Sequence, residues 1–239
     1  MRAPLLSGGE RRSPPALAQR NGGEGASAGG EGERAQEEAQ GDGQGDDPHY
    51  GYLVAAAAAA IFICYADRSN ISTAIIPMAK EFGWDKVAEG GILSAFFYGY
   101  GATQLLGGRL EDSYGGGKVL LAGVLGWSLA TFATPWAAVA GTAPLLLARV
   151  GLGAAEGVAF PAIHALIARH VPKERQSTAV ATVTSAAYCG AAFALGVTPA
   201  IVLHGGWEAA FYTFGAAGLL WVPLWLPVRP KDNPAAPLR

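Results

Sequence analysis

Cysteine is nearly absent: Cys64 and Cys189 are the only two in a chain of 239 residues. Neither has a metal-ligand or redox spacing, so both are expected to be small buried apolar residues in preference to parts of a metal centre or a dithiol switch. An excess of positive charge is also missing. Lys and Arg total 17 against 19 Asp and Glu, for a net charge of −2, which leaves no basic face dense enough for a nucleic-acid partner. The first 49 residues lack apolar bulk. From Met1 to His49 the chain is dominated by Gly, Glu, Gln, Ser and Arg, with scarcely an aromatic. Such a composition cannot bury enough apolar surface to offset the entropy of ordering, and a disordered tail is expected. The tail has no apolar run, which argues against a cleaved secretory signal, and it is too acidic for a typical transit peptide. Arg2 to Leu6 (RAPLL) has the form of a dileucine-type sorting signal; an ordinary disordered terminus is the preferred reading.

Beyond the tail the chain is apolar in long stretches. A bilayer core of about 30 Å requires about 20 mainly apolar residues per helix. Six segments qualify: Tyr52 to Met78, Gly90 to Gly108, Val119 to Ala138, Ala143 to Ala168, Ala179 to Leu203, and Ala209 to Val228. The expected fold is therefore an all-α membrane protein, with a tail over 1–49, six transmembrane helices within 50–228, and the start of a cytosolic loop over 229–239. Lys and Arg alternate in their placement. Arg109 and Lys118, then Arg169, Lys173 and Arg175, then Arg229 and Lys231 mark one side, whereas the other offers only Lys80 and Lys86. By the positive-inside rule both termini face the cytosol or its equivalent.

Ionised side chains inside such segments are expensive, and they face a bundle interior or a water-filled path rather than lipid. Arg68 lies deep in the first span beside Asp67, and Arg149 lies in the fourth with Glu156 two helical turns on. Seven positions separate Arg149 from Glu156, so they share nearly one helix face about 10 Å apart along the axis. A planar guanidinium matches the oxygens of a carboxylate or phosphate in a way that Lys does not. Asn70, Tyr100 and Gln104 are placed to add neutral hydrogen bonds around a bound anion. The competing structural reading makes Arg68 the partner of Asp67 or Glu156 in a salt bridge that holds helices together. Gly99, Gly153 and Gly157 permit close helix approach, and Pro161 and Pro199 are expected to kink their spans.

Between the second and third spans the chain reads Gly107-Gly108-Arg109-Leu110-Glu111-Asp112-Ser113-Tyr114-Gly115-Gly116-Gly117-Lys118. Read as a loop, it offers glycines for a tight connection, Asp112 as a helix cap or ion-pair partner, and Lys118 as a cytosolic anchor. This stretch resembles the major facilitator signature G-x-L-a-D-r-x-G-r-k. Gly108, Leu110, Asp112 and Gly115 fit, while Ser113 stands where a cation is usual and Lys118 comes one place late. Further motifs are similar to the organic anion and phosphate symporters of that superfamily. These are Asp67-Arg68-Ser69-Asn70-Ile71-Ser72-Thr73, Ser94-Ala95-Phe96-Phe97-Tyr98-Gly99-Tyr100 with Thr103-Gln104, Arg149 followed by Glu156-Gly157-Val158-Ala159-Phe160-Pro161, and Val171-Pro172-Lys173-Glu174-Arg175. That family includes sodium–phosphate, sialic-acid, vesicular glutamate and plastid phosphate transporters.

The resemblance implies that Arg68 and Arg149 bind substrate and that Glu156 takes part in proton coupling, protonation releasing an arginine to the anion. His164 either joins the relay or packs near the cytosolic end. The glutamate branch carries a second-span histidine where this chain has Leu93, which leaves phosphate or another small organic anion. The expected activity is H+- or Na+-coupled transport of such an anion across a plasma, plastid, vesicular or vacuolar membrane, with no catalysis and no cofactor beyond the coupling ion. Two other classes compete: a non-transporting six-helix scaffold, and a rhomboid-like intramembrane protease with Ser128 in Gly126-Trp127-Ser128-Leu129-Ala130 as nucleophile. The resembled fold has two six-helix halves with substrate between them. One half is present here, so a truncated form is expected in preference to a dimer of six-helix chains, the partner being a missing C-terminal half or a second copy.

Overall fold

The computed structural model describes residues 48–230. The tail read as disordered, the sorting-type signal at Arg2–Leu6 and the loop from Lys231 lie outside the described residues. Six helices run in chain order: α1 (Pro48–Phe82), α2 (Lys86–Tyr114), α3 (Gly116–Ala140), α4 (Thr142–Gly157), α5 (Ala159–His170) and α6 (Lys173–Trp225). The first helix thus takes in Pro48 and His49, which the sequence reading assigned to the tail. Among the described residues, four stretches are long and apolar enough to cross a membrane: Tyr50–Phe82, Gly116–Ala140, Thr142–His170 and Lys173–Trp225. The second predicted segment lies inside α2, which is long but diluted by glycines, Tyr98, Tyr100 and Gln104. The fifth and sixth predicted segments lie together in α6. Its 53 residues would span about 80 Å as one straight helix, far beyond a bilayer. Gly206 interrupts it with φ 81 and ψ 169, a backbone conformation that L side chains disfavour. The chain therefore turns where the sequence places a connection, at His204 to Glu208. Trp207 pins this turn by donating its Nε1–H to Glu81 Oε2 at 2.7 Å.

Each end has a local cause. Asp85 caps α2 by accepting from the Ala88 N–H at 2.8 Å. The stretch read as a loop from Gly107 to Lys118 is helical through Tyr114, and Gly115 alone joins α2 to α3 with φ 85. Asp112 sits exposed within α2 and does not cap α3, whose first turn has no side-chain cap. Between α4 and α5 the helix breaks at Val158. Pro161 explains this break, because it lacks the N–H that the Gly157 carbonyl would accept and its ring crowds that carbonyl. Pro199 lies within α6 at helical dihedrals; the kink expected there falls seven residues later, at Gly206.

α1 packs chiefly on α6, α2 on α4, and α3 on both α4 and α6. The core joins Leu120, Trp127, Ile163, Leu166, Trp221 and Trp225. Trp221 and Trp225 donate their indole N–H groups to the Ala56 and Gly117 carbonyls at 2.8 and 3.1 Å. Large apolar side chains such as Leu105, Leu147, Leu203 and Leu220 point outward, as on a surface solvated by lipid. Cys64 is buried as expected, but Cys189 is exposed. Ser128 is fully buried and its Oγ has no hydrogen-bond partner among the described residues, so no base activates it as a protease nucleophile.

The α2–α4 contact is built on glycine. A Cβ at Gly153 would overlap the Phe96 carbonyl, one at Gly99 the Val150 carbonyl, and one at Gly157 the Thr103 hydroxyl. Gly153→Val is expected to lower stability by about 1–3 kcal/mol by overpacking, read as a lower unfolding midpoint of the detergent-extracted protein. Gly101→Ala, on the same α2 with nothing within 4 Å of the added Cβ, is the control and should unfold at the parental temperature or above. Equal midpoints for the Gly153→Val protein and the parent would show that α2 and α4 are not in this close contact.

Candidate functional site

The site forms where α1, α2 and α4 meet. On a helix, positions three apart share a face, so α1 presents Tyr65 and Arg68 together on one side, and Asp67 and Asn70 together on another. The two sides have different fates. Arg68 extends toward α4, where its Nε and Nη2 both donate to Glu156 Oε2, at 2.9 and 2.8 Å. The Glu156 side chain is fully buried and that of Arg68 is 20% exposed. Among the described residues, Glu156 Oε1 has no hydrogen-bond partner. The Arg68 guanidinium lies within a box of aromatic faces, 4.6 Å from the ring centre of Tyr65, 4.7 Å from Phe96 and 4.6 Å from Tyr100. Aromatic faces attract a cation through their quadrupole, most strongly away from water.

Asp67 turns the other way. It is buried against α3, accepting from the Thr131 hydroxyl at 2.6 Å and, at its other oxygen, from Asn70 Nδ2 at 3.3 Å. Of the two salt-bridge partners open to Arg68 in the sequence, Glu156 is therefore the one observed. Thr131→Val would leave buried Asp67 with Asn70 alone and is expected to lower stability by about 1.5–3 kcal/mol, the range for hydrogen bonds to charged groups. Thr131→Ser, which keeps the hydroxyl, should unfold near the parental temperature; equal midpoints for the Val and Ser variants would remove Thr131 from this role.

Arg149 is the exceptional group. It is 2% exposed, and among the described residues its Nε has no hydrogen-bond partner and no carboxylate lies within ion-pair distance of it. Its neighbour is the Phe96 ring at 5.6 Å, the same ring on which Arg68 lies. A guanidinium buried without a direct ion pair or full hydrogen bonding is costly by several kcal/mol. Two cations thus share one ring, and among the described residues only one of them is engaged in an ion pair. The sequence spacing suggested that Glu156 would serve Arg149; the fold gives it to Arg68.

The other predicted residues divide. Tyr100 joins the site through its ring, stacking on Phe96 at 5.5 Å as well as on Arg68. Asn70 is fully buried in the Asp67 pair and is not turned toward the arginines' shared ring. Gln104 is exposed on α2 one turn beyond Tyr100. His164 is exposed on α5, its ring 5.7 Å from Phe160 and without a hydrogen bond to Glu156. Gly108 and Asp112 are exposed on α2, Gly115 forms the turn, and Lys118 is exposed in the first turn of α3. Sequence reasoning missed Tyr65, Phe96 and Thr131. The i, i+3 step from Tyr65 to Arg68 and the i, i+4 step from Phe96 to Tyr100 were signals for the first two; nothing local marks Thr131. It also missed the ion pair of Arg169 with Glu111 at 3.2 Å, which ties α5 to α2 where the signature carries a small residue.

About three quarters of the chain is similar to known proteins. The chain is 41% identical over 179 residues to the chloroplastic sodium-dependent phosphate transport protein 1 of Arabidopsis thaliana, covering 75% of this chain and 35% of that protein. It is 40% identical over 190 residues to the chloroplastic ascorbate transporter of the same plant, covering 78% of this chain and again 35% of the relative. The chain thus spans about a third of the length of these relatives. Among solved structures, a bacterial homolog of the human lysosomal transporter Spinster, inward-facing and occupied, aligns with a TM-score of 0.68 at 21% identity, over 76% of this chain and 45% of that one, which shows the shared fold. Residues 57–239, a stretch that holds both arginines, both carboxylates and the Gly115 turn, match the Major Facilitator Superfamily, and to that superfamily of membrane proteins the chain belongs.

Proposed function

We propose that this chain is the six-span N-terminal half of a secondary transporter for a small anion, inorganic phosphate or an organic carboxylate. The observation that carries the reading is the buried Arg149 guanidinium, which forms no ion pair among the described residues, on the same aromatic ring as Arg68. The break at Gly206 supports six spans by dividing a helix too long for one crossing. The relatives' names support phosphate or a carboxylate-like anion such as ascorbate as cargo, and a plastid membrane as the location. The excess of Lys and Arg on alternate connections supports termini on the cytosolic or equivalent side. The second half of the cavity would come from a C-terminal six-helix half.

The charge balance supports coupling. Asp67, Glu156, Arg68 and Arg149 sum to zero, so an anion entering alone leaves a net negative charge in a low-dielectric interior. Entry together with H+ or Na+ keeps the site neutral. Glu156 suits the proton: one oxygen holds Arg68, and the other has no hydrogen-bond partner among the described residues and can carry the hydrogen. Protonation weakens the hold on Arg68, which then joins Arg149 in clamping the anion. Asp67, fixed by Thr131 and Asn70, stays as the countercharge for Arg149. The test is anion uptake into liposomes by this half joined to the C-terminal half of a plastid relative, with each arginine replaced by lysine in turn. Parental rates in both variants would remove the arginines as substrate clamps and leave a scaffold fold without transport.

A further inference from the structure

A second site lies away from the arginines, on the outer face of the bundle beside the α2–α3 turn. Both helices leave Gly115 and pack far more on α4 than on each other, which opens a groove of about 410 Å3 between them. Its walls include Thr103, Leu110, Tyr114, Lys118 and Ala122, and Ala155 of α4 lines it as well. Leu110, Tyr114, Lys118 and Ala122 are exposed, so the groove faces outward, where a membrane protein meets lipid. The lining is largely apolar: the Thr103 hydroxyl is turned back to the Gly99 carbonyl, and Lys118 and Tyr114 stand at the end near the turn. Lys118 has no ion-pair partner among the described residues. The nearby acid Glu111 is engaged by Arg169, and Asp112 does not line the groove.

We propose that this groove docks one membrane lipid with an anionic headgroup, its acyl chain lying along α4 between α2 and α3 and its phosphate held by Lys118 and the Tyr114 hydroxyl. Charge complementarity and depth select this occupant. A lysine at a helix end extends its ammonium to the level of lipid phosphates while its stem stays on apolar surface, and basic pockets between membrane helices retain anionic headgroups. The volume suits a length of hydrocarbon chain rather than an isolated water. This inference depends on membrane insertion and not on anion transport.

The test uses the purified 239-residue chain in detergent, offered equal amounts of phosphatidylglycerol and phosphatidylcholine with identical acyl chains, with retained lipid counted by native mass spectrometry. The parent is expected to prefer phosphatidylglycerol. Lys118→Ala should lower its retention about fivefold, the factor of one lysine at an anionic membrane surface, and leave phosphatidylcholine unchanged. Ala122→Phe, at an exposed position, should fill the groove and lower both lipids, and Lys80→Ala, removing an exposed lysine outside the groove, should change neither. Equal retention of the two lipids by the parent, or an unchanged preference in the Lys118→Ala protein, would overturn the proposal. So would a change in the proportion of dimer in either groove variant without a change in bound lipid, since the groove would then be a contact between copies of the chain.

Discussion

Arg149→Lys is expected to cut anion uptake roughly 10- to 100-fold while leaving insertion and extractable protein unchanged. Lysine keeps the charge and most of the apolar stem, so it serves as well as arginine for a countercharge to Asp67. It loses the planar fork, and a lost charge-assisted hydrogen bond to an anion is worth about 1.5–3 kcal/mol, which sets that range. Arg68→Lys should behave similarly, with an added loss of stability because the Nε and Nη2 bonds to Glu156 Oε2 both go. The measurement is phosphate uptake into liposomes, paired with the yield of monodisperse protein. That control matters because breaking a buried ion pair outright costs about 3–5 kcal/mol and imitates loss of function. Arg149, having no such pair to break, gives the cleaner result.

Glu156→Gln is expected to separate binding from coupling. The amide mimics the protonated acid, so Arg68 is released and exchange of labelled for unlabelled anion should stay within about threefold of the parent, consistent with the loss of a modest ground-state interaction. Accumulation driven by a pH gradient should fall to the equilibrium level, because no proton then enters with the anion. The sign is definite: acidifying the side from which the anion enters stimulates the parent and has no effect on the variant. A variant that still accumulates anion along the pH gradient would return Glu156 to a purely structural ion pair with Arg68. A parent driven by a sodium gradient and indifferent to pH would assign the coupling ion as Na+.

The resemblance was legible because its motifs are local runs of residues; the family match over 57–239 bears out the superfamily, and the identity to plastid phosphate and anion transporters bears out the finer resemblance. The expected position of Gly153 and Gly157 at a tight helix contact holds for the same reason: a small residue in a membrane helix has few other uses. Boundaries were read less well. The signature between the second and third spans looked like a loop because it is rich in glycine, yet α2 runs through it to Tyr114. Hydrogen bonding along the helix and packing on α4 outweigh the weak propensity of a few glycines. The burial of Cys189 was also misjudged, since in a membrane protein an apolar side chain is as much at home on the outer face as in the core.

By itself the sequence determined that the chain is helical and apolar over most of its length, and that ionised groups, two arginines among them, lie within its apolar segments. These come from composition and from the 3.6-residue period, both of which are local quantities. Only the tertiary structure decided who partners whom. Arg68 and Glu156 are 88 positions apart, and Thr131 and Asp67 are 64 apart. Spacing along one helix pointed Glu156 toward Arg149. Glycine contacts bring α2 and α4 together, and Arg68 reaches from α1 across the Phe96 ring to Glu156, leaving Arg149 buried without an ion pair among the described residues. Helical periodicity fixes the direction in which a side chain leaves its own helix, whereas its partner depends on which other helix lies there, and that is a property of packing.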